Sequence, residues 1–128
     1  MTLTKADYRA YITSPDWRGK HKGFLKRSRY RCAFLPFLSL KKRYNCHHMN
    51  YDRLGEEVLW EDVICLHPWI HRWIVHGILS GFKRPSQQKK YPNKFQQTFH
   101  FWCTLPHSIR LVLMIAIIVN VVKILMTS

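Results

Sequence analysis

Short apolar clusters separated by polar breaks fill most of this chain, and only its C-terminal stretch is continuously apolar. Thr4-Lys5-Ala6-Asp7 has the form of a capping box, and Ser14-Pro15-Asp16 that of a helix start. A serine oxygen accepts from the free amide hydrogens there, and proline fits the first helical position. Trp17, His21, Phe24 and Leu25 then recur at helical spacing, which predicts a helix near 15–30 with one apolar face. Residues 32–40 are apolar but broken by Pro36, as in a packed loop leading to a strand. Residues 41–49 read as a strand that delivers Cys46-His47-His48 at its end, and 52–57, with Gly55, as a loop. Val63-Ile64-Cys65-Leu66 reads as a short buried strand, after which Pro68 opens a helix to about Leu79. Trp60, Trp69 and Trp73 fall at apolar spacing and are expected in the core. The middle of the chain is therefore β-loop-β-helix.

The remainder divides in two. Residues 81–108 are rich in Pro, Gln and Lys and read as a linker, flexible in its first part. Phe99, Phe101 and Trp102 close it, where aromatics of a membrane interface would stand. Residues 109–126 are apolar apart from Arg110, Asn120 and Lys123. As a helix they span about 27 Å at about 1.5 Å per residue, close to a hydrocarbon core of about 30 Å. A transmembrane helix is expected, with Arg110 and Lys123 snorkelling from its ends. Three regions follow: a domain over 1–80, a linker over 81–108 and a membrane helix over 109–126. Lysines and arginines 83, 84, 89, 90, 94 and 110 precede that helix, which favours a single-pass tail anchor with the N-terminal domain cytoplasmic.

Charge narrows the partner. The chain has 21 Lys+Arg against 7 Asp+Glu. Its densest basic run, Arg18, Lys20, Lys22, Lys26, Arg27, Arg29 and Arg31, contains no acid. Such a run suits nucleic acid or an anionic membrane surface. Four cysteines with no CxxC pair and a polar N-terminus argue against a disulfide framework and for a reducing cytoplasm.

His47, His48, Asp62 and His71 carry the candidate chemistry. Imidazole both binds transition metals and exchanges protons near neutral pH. Adjacent histidines at a strand end point to opposite sides, so they cannot share one job. One can hold a metal while the other faces a water, and a histidine from the following helix can close the metal site. Hydrolysis of a phosphodiester needs that pairing of base and cation. His67-x-x-x-His71 also has zinc-protease spacing, but Pro68 stands where the required glutamate would follow.

The run His47-His48-Met49-Asn50-Tyr51-Asp52-Arg53-Leu54-Gly55-Glu56-Glu57, with Asp62 to Val75 after it and Tyr8, Tyr11-Ile12, Ser14 and Trp17 before it, resembles the HNH endonuclease family. The resemblance covers roughly residues 6–77. It implies an α+β fold: a small ββα-metal (His-Me finger) domain with an N-terminal basic helix, here joined to one C-terminal transmembrane helix. It implies a metal-dependent endonuclease acting on DNA, with one divalent ion (Mg, Mn, Ni or Zn) on His47 and His71. His48 stands at the general-base position and Asp62 at the orienting position that holds the base-bearing loop. Tyr51, Arg53, Gly55 and Glu57 fall on loop-architecture positions, and the basic run on phosphate contacts. No small-molecule cofactor is expected.

The chain also departs from that pattern. Many relatives carry a structural zinc on two CxxC pairs, and the matching positions here are Cys32 with Leu35 and His67 with Ile70. Leucine and isoleucine cannot bind zinc, and a structural site wants four ligands. Cys32 and His67 therefore read as remnants, the structural zinc as lost, and Leu35, Phe37 and Ile70 as its apolar replacement. His76 reads as structural. Two rival functions stay open: a non-catalytic nucleic-acid-binding module of the same shape, and a basic patch that serves anionic lipid.

Overall fold

The computed structural model describes residues 4–82 and 92–128. They form a small mixed α/β protein with one two-stranded sheet and one apolar C-terminal helix. Both N-terminal helices start as their caps dictate. Thr4 and Asp7 close a reciprocal capping box on α1 (Lys5–Ile12), and the Ser14 hydroxyl accepts from the Trp17 amide at the start of α2 (Pro15–Arg27). Helix α2 buries Trp17, Phe24 and Leu25 and turns its cations outward. It ends where Arg29 and Tyr30 take left-handed backbone, φ 56° and 54°, and reverse the chain.

Strand β1 (Asn45–His48) pairs antiparallel with β2 (Val63–Leu66), setting His47 opposite Ile64 and His48 opposite Val63. Strand β2 is wholly buried and anchors the core with Leu40 and Leu59. Among the described residues the sheet has only these two strands, so β1 keeps a free edge there, and the candidate site opens along it.

The helix expected from Pro68 to Leu79 is shorter and differently wound. It becomes a π-helix over Ile70–Val75, breaks at His76-Gly77, and resumes as a 3-10 turn over Ile78–Ser80. The His76 amide donates to the His71 carbonyl, five residues back, at 3.1 Å. Gly77 explains the break. A Cβ there would lie 2.2 Å from the Trp73 carbonyl oxygen, so only glycine lets the chain pass so close. The winding also turns Trp69 and Trp73 outward, 67 % and 46 % exposed, whereas Trp60 packs half-buried against the core. The expectation of three core tryptophans is corrected to one.

The linker reading of 81–108 needs a larger correction. Its first part, 83–91, lies outside the described residues. Residues Lys94–Thr104 form α3, started by a capping box of Asn93 and Gln96 and packed onto the domain. Phe99 stacks on Phe34 with ring centroids 4.8 Å apart, and the Trp102 indole donates to the Phe34 carbonyl at 3.1 Å. Cys103 is fully buried. Two of the three aromatics assigned to a membrane interface thus face the domain, and Phe101 faces out. Low apolar density over 81–94 hid a helix whose buried residues, Phe99, His100 and Cys103, all lie in its second half.

Helix α4 (His107–Thr127) is long and apolar enough to cross a membrane, with mean hydropathy 2.5 over its best window, and nearly all of it stands clear of the domain. The exception is Arg110, expected to snorkel. Its guanidinium is buried and donates to the carbonyls of Ala33 and Leu105. A cation on the first turn of α4 therefore ties that helix to the segment after Cys32.

Candidate functional site

His47 and His48 leave opposite faces of β1, as strand geometry requires, and meet different surroundings. On the His48 side, α2 lays Trp17 flat against the imidazole at 4.4 Å, while Tyr8 of α1 and the loop residue Tyr51 contact its other sides. His48 Nε2 lies 3.2 Å from Glu57 Oε1. Burial pushes the His48 pKa below the ordinary histidine value and Glu57 partly restores it, so the ring is neutral at neutral pH. With Nε2–H donated to the carboxylate, Nδ1 carries the lone pair.

Glu57 is itself held from several directions. It accepts from the Tyr11 hydroxyl (2.9 Å), the Lys20 ammonium (3.1 Å) and the Gly55 amide (3.0 Å). Burial alone would raise its pKa, but these donors hold the carboxyl down to about 2. Gly55 reaches its place with φ 100°, in the left-handed region. Glu57, read above as loop architecture, is the direct partner of His48.

Asp62 bonds to the loop instead. Its carboxylate accepts from the Val58 amide at 2.8 Å and from the Arg53 guanidinium at 2.9 and 3.1 Å, and its carbonyl accepts from the Met49 amide at 2.7 Å. Arg53 also pairs with Glu61. Asp62 thus closes the loop that carries Glu57 back to His48.

His47 faces histidines. His71 of the π-helix and His76, which caps that helix, join it in a group whose candidate ligand atoms all lie within 4.8 Å of one another. The π winding creates this group. In an α-helix, at about 100° per residue, the residue above His71 would be Val75, and His76 would sit about 140° away. With one extra residue in the turn, His76 Nε2 comes to 3.1 Å from His71 Nε2, and Val75 turns into the core. A fourth imidazole arrives from α3: His100 Nε2 is 3.0 Å from His47 Nε2. Burial, reinforced by the neighbouring rings, drives the pKa of His47 well down, and those of His71 and His100 to about 4. Neutral imidazole is the form that binds metal, and His47, His71 and His76 could hold a transition ion by donor type and spacing.

Both sides open on one cleft of about 300 Å³, lined by His47, His48, His71 and His76 together with Tyr8, Trp17, His21 and Tyr44. Of the basic run, Arg18, Lys22, Lys26, Arg27, Arg29 and Arg31 are exposed and available to an anion. Lys20 is not: it is spent on Glu57, Tyr11 and the Gly55 carbonyl. This corrects its reading as a phosphate contact.

Cys32 and His67 lie side by side, the His67 amide donating to Cys32 Sγ at 3.4 Å, while the His67 ring accepts from the Trp69 amide at 3.3 Å. Around them pack Ile70 and, from beyond the expected domain boundary, Cys103 and Arg110. Phe37, named as part of the apolar replacement, is 64 % exposed. The sequence reading missed His76 and His100 as cluster members. For His76 the only signal was Gly77 beside it; for His100 it was the Asn93–Gln96 capping pair that announces α3.

No protein-family model, curated protein or solved structure significantly matches the chain.

Proposed function

We propose that this protein is a metal-dependent phosphodiester hydrolase of the HNH type that cuts nucleic acid, DNA in the first instance, while anchored to a membrane. The observation that carries the reading is the division of labour across β1: one histidine in an imidazole cluster, the next held by a carboxylate, both facing one cleft. His48 Nδ1 takes the proton from a water as its oxygen attacks phosphorus, and the bond from phosphorus to the leaving oxygen breaks. Glu57 keeps the ring in the required tautomer and balances the charge it gains, a role for which a buried carboxylate beside a histidine is suited. A divalent ion on His47, His71 and His76 would neutralise the scissile phosphate and the leaving oxygen. Three imidazoles favour Zn or Ni over Mg, which prefers oxygen ligands. The exposed cations of α2 and the turn after it hold backbone phosphates and give affinity without sequence choice.

Helix α4 supports the membrane half of the proposal. Leu, Ile and Val occupy twelve of its positions. At about −0.3 to −0.6 kcal/mol each on an insertion scale they contribute roughly 4–7 kcal/mol. Lys123 lies near one end, where it costs less than the roughly 3 kcal/mol of a central charge, and Arg110 is already engaged by the domain. Asn120 and Thr127 bond to carbonyls of their own helix, which lowers the cost of placing them in lipid. The Lys and Arg residues ahead of α4 favour a cytoplasmic position for the domain.

The test uses the full chain in detergent micelles, because a fragment ending near residue 82 would strip α3 from the core. With supercoiled plasmid and a Mg, Mn, Ni, Zn series, wild type nicks and His48→Ala does not. Equal inertness of both across the series sinks the nuclease reading. Salt-sensitive binding without metal dependence would then favour a non-catalytic nucleic-acid-binding module.

A further inference from the structure

We infer that His100 of α3 is the fourth metal ligand, so that the centre is a closed four-imidazole site built jointly by β1, the π-helix and the helix that leads into α4. The inference rests on the metal reading above and goes beyond it, because it draws the catalytic centre and the membrane-proximal helix into one unit.

Geometry argues for it first. Four nitrogens around a tetrahedral ion at about 2.05 Å stand about 3.3 Å apart along each edge. The two closest pairs here, His47 with His100 at 3.0 Å and His71 with His76 at 3.1 Å, are near that length. Two opposite edges are thus already formed; His47 shares the 4.8 Å group with His71 and His76, and His100, outside that group, would complete the set by closing on those two.

The second argument is placement. His100 does not drift over His47: α3 is fixed from four directions. Gln96 Nε2 donates to the Val75 carbonyl at 3.1 Å and Asn93 Nδ2 to the Leu79 carbonyl at 2.7 Å, which register α3 against the segment that bears His71 and His76. The Trp102 indole and the Phe99 ring bind it to Phe34. Arg110 then secures the next helix to Ala33.

With four protein ligands the ion's shell would be filled in the resting protein, and the scissile phosphate would enter by taking the place of His100.

Co(II) bound to the full chain in detergent micelles tests this without reference to activity. Wild type should show the intense visible absorption of a four-coordinate ion and be indifferent to azide. His100→Ala should bind Co(II) more than tenfold more weakly, lose intensity in that band, and take up azide. His100→Cys should gain a near-ultraviolet thiolate-to-cobalt charge-transfer band absent from wild type, which guards against a misfolded alanine variant. If wild type binds Co(II) but takes up azide, or if His100→Ala leaves the spectrum and affinity unchanged and His100→Cys gains no band, His100 is no ligand and the metal reading stands alone. If wild type binds no Co(II), Zn(II) or Ni(II), both fall.

Discussion

The two faces of β1 are built by different means. The His48 face draws its parts from the first two helices and the loop up to Asp62, and each contact follows from residues the motif itself contains: Trp17, Tyr51, Glu57. The His47 face is assembled from afar. Its partners lie 24, 29 and 53 positions along the chain at His71, His76 and His100, and two of them depend on a helix wound the uncommon way and on a helix hidden in an apparent linker. A histidine–carboxylate pair can be written in a compact motif, whereas a cluster of imidazoles needs several elements to converge.

The sharpest way to separate the faces is to remove each histidine in turn. His48→Ala should reduce plasmid nicking by at least about 100-fold, the usual lower bound for a general base, while Zn(II) affinity by competition titration stays within a factor of two or so. His47→Ala should abolish both. If His48→Ala weakens Zn(II) as strongly as His47→Ala does, the division of labour across β1 is wrong.

Next in size is His76→Ala. Partners merely outside a coordination shell typically cost 10–100-fold in metal affinity, so loss of a direct ligand should cost about 100-fold or more. An isothermal titration that finds Zn(II) binding undiminished would return His76 to the structural role its sequence position suggested.

That role shows where legibility stopped. The caps at Thr4 and Ser14, both strands, and the basic outer face of α2 were legible because each depends on local chemistry: an oxygen for a free amide, a short apolar run for a buried strand, apolar spacing for a buried stripe. The pairing of Asp62 with its loop belongs to the same kind. The π-helix was not legible, because hydrophobic spacing assumes 3.6 residues per turn and the deviation here is fixed by a backbone contact at Gly77. Nor was α3, whose apolar face is short and whose partner, Phe34, lies far back in the chain. Lys20 shows the converse limit. Its place in a basic run suggested a phosphate, but a buried carboxylate nearby attracts an ammonium more strongly than a distant polyanion does, and Glu57 holds it.

Gly77→Ala tests the winding itself. The added carbon meets the Trp73 carbonyl carbon at 2.9 Å as well as its oxygen, and both belong to the backbone, which yields little. Overpacking of this kind costs about 1–3 kcal/mol. A lower Tm should therefore accompany a weaker Zn(II) site, because the shift carries His76 away from His71. A variant with wild-type affinity and a lowered Tm would separate the strain at Gly77 from the His71–His76 pair.

The smallest expected effect is on the opposite face, in acid. The Glu57 carboxyl titrates near 2 in the folded chain against an ordinary value of 4.5, so the folded state favours its ionised form. A group depressed on folding contributes stability that is complete above its unfolded pKa and drains away as pH falls through the folded one. Wild type should hence lose stability progressively from about pH 4.5 to about pH 2 through Glu57, followed by near-ultraviolet circular dichroism against denaturant in micelles. Glu57→Gln removes the proton-linked part, so its stability should start lower at neutral pH and slope less over that window. His47, His71 and His100, whose pKa values burial also depresses, add their own loss of stability as pH falls below about 6.5, so the Glu57 part is read as the difference between wild type and Glu57→Gln. If wild type and Glu57→Gln decline in parallel, the Tyr11, Lys20 and Gly55 donors do not hold Glu57 ionised, and the carboxylate that orients His48 must be sought elsewhere in the loop.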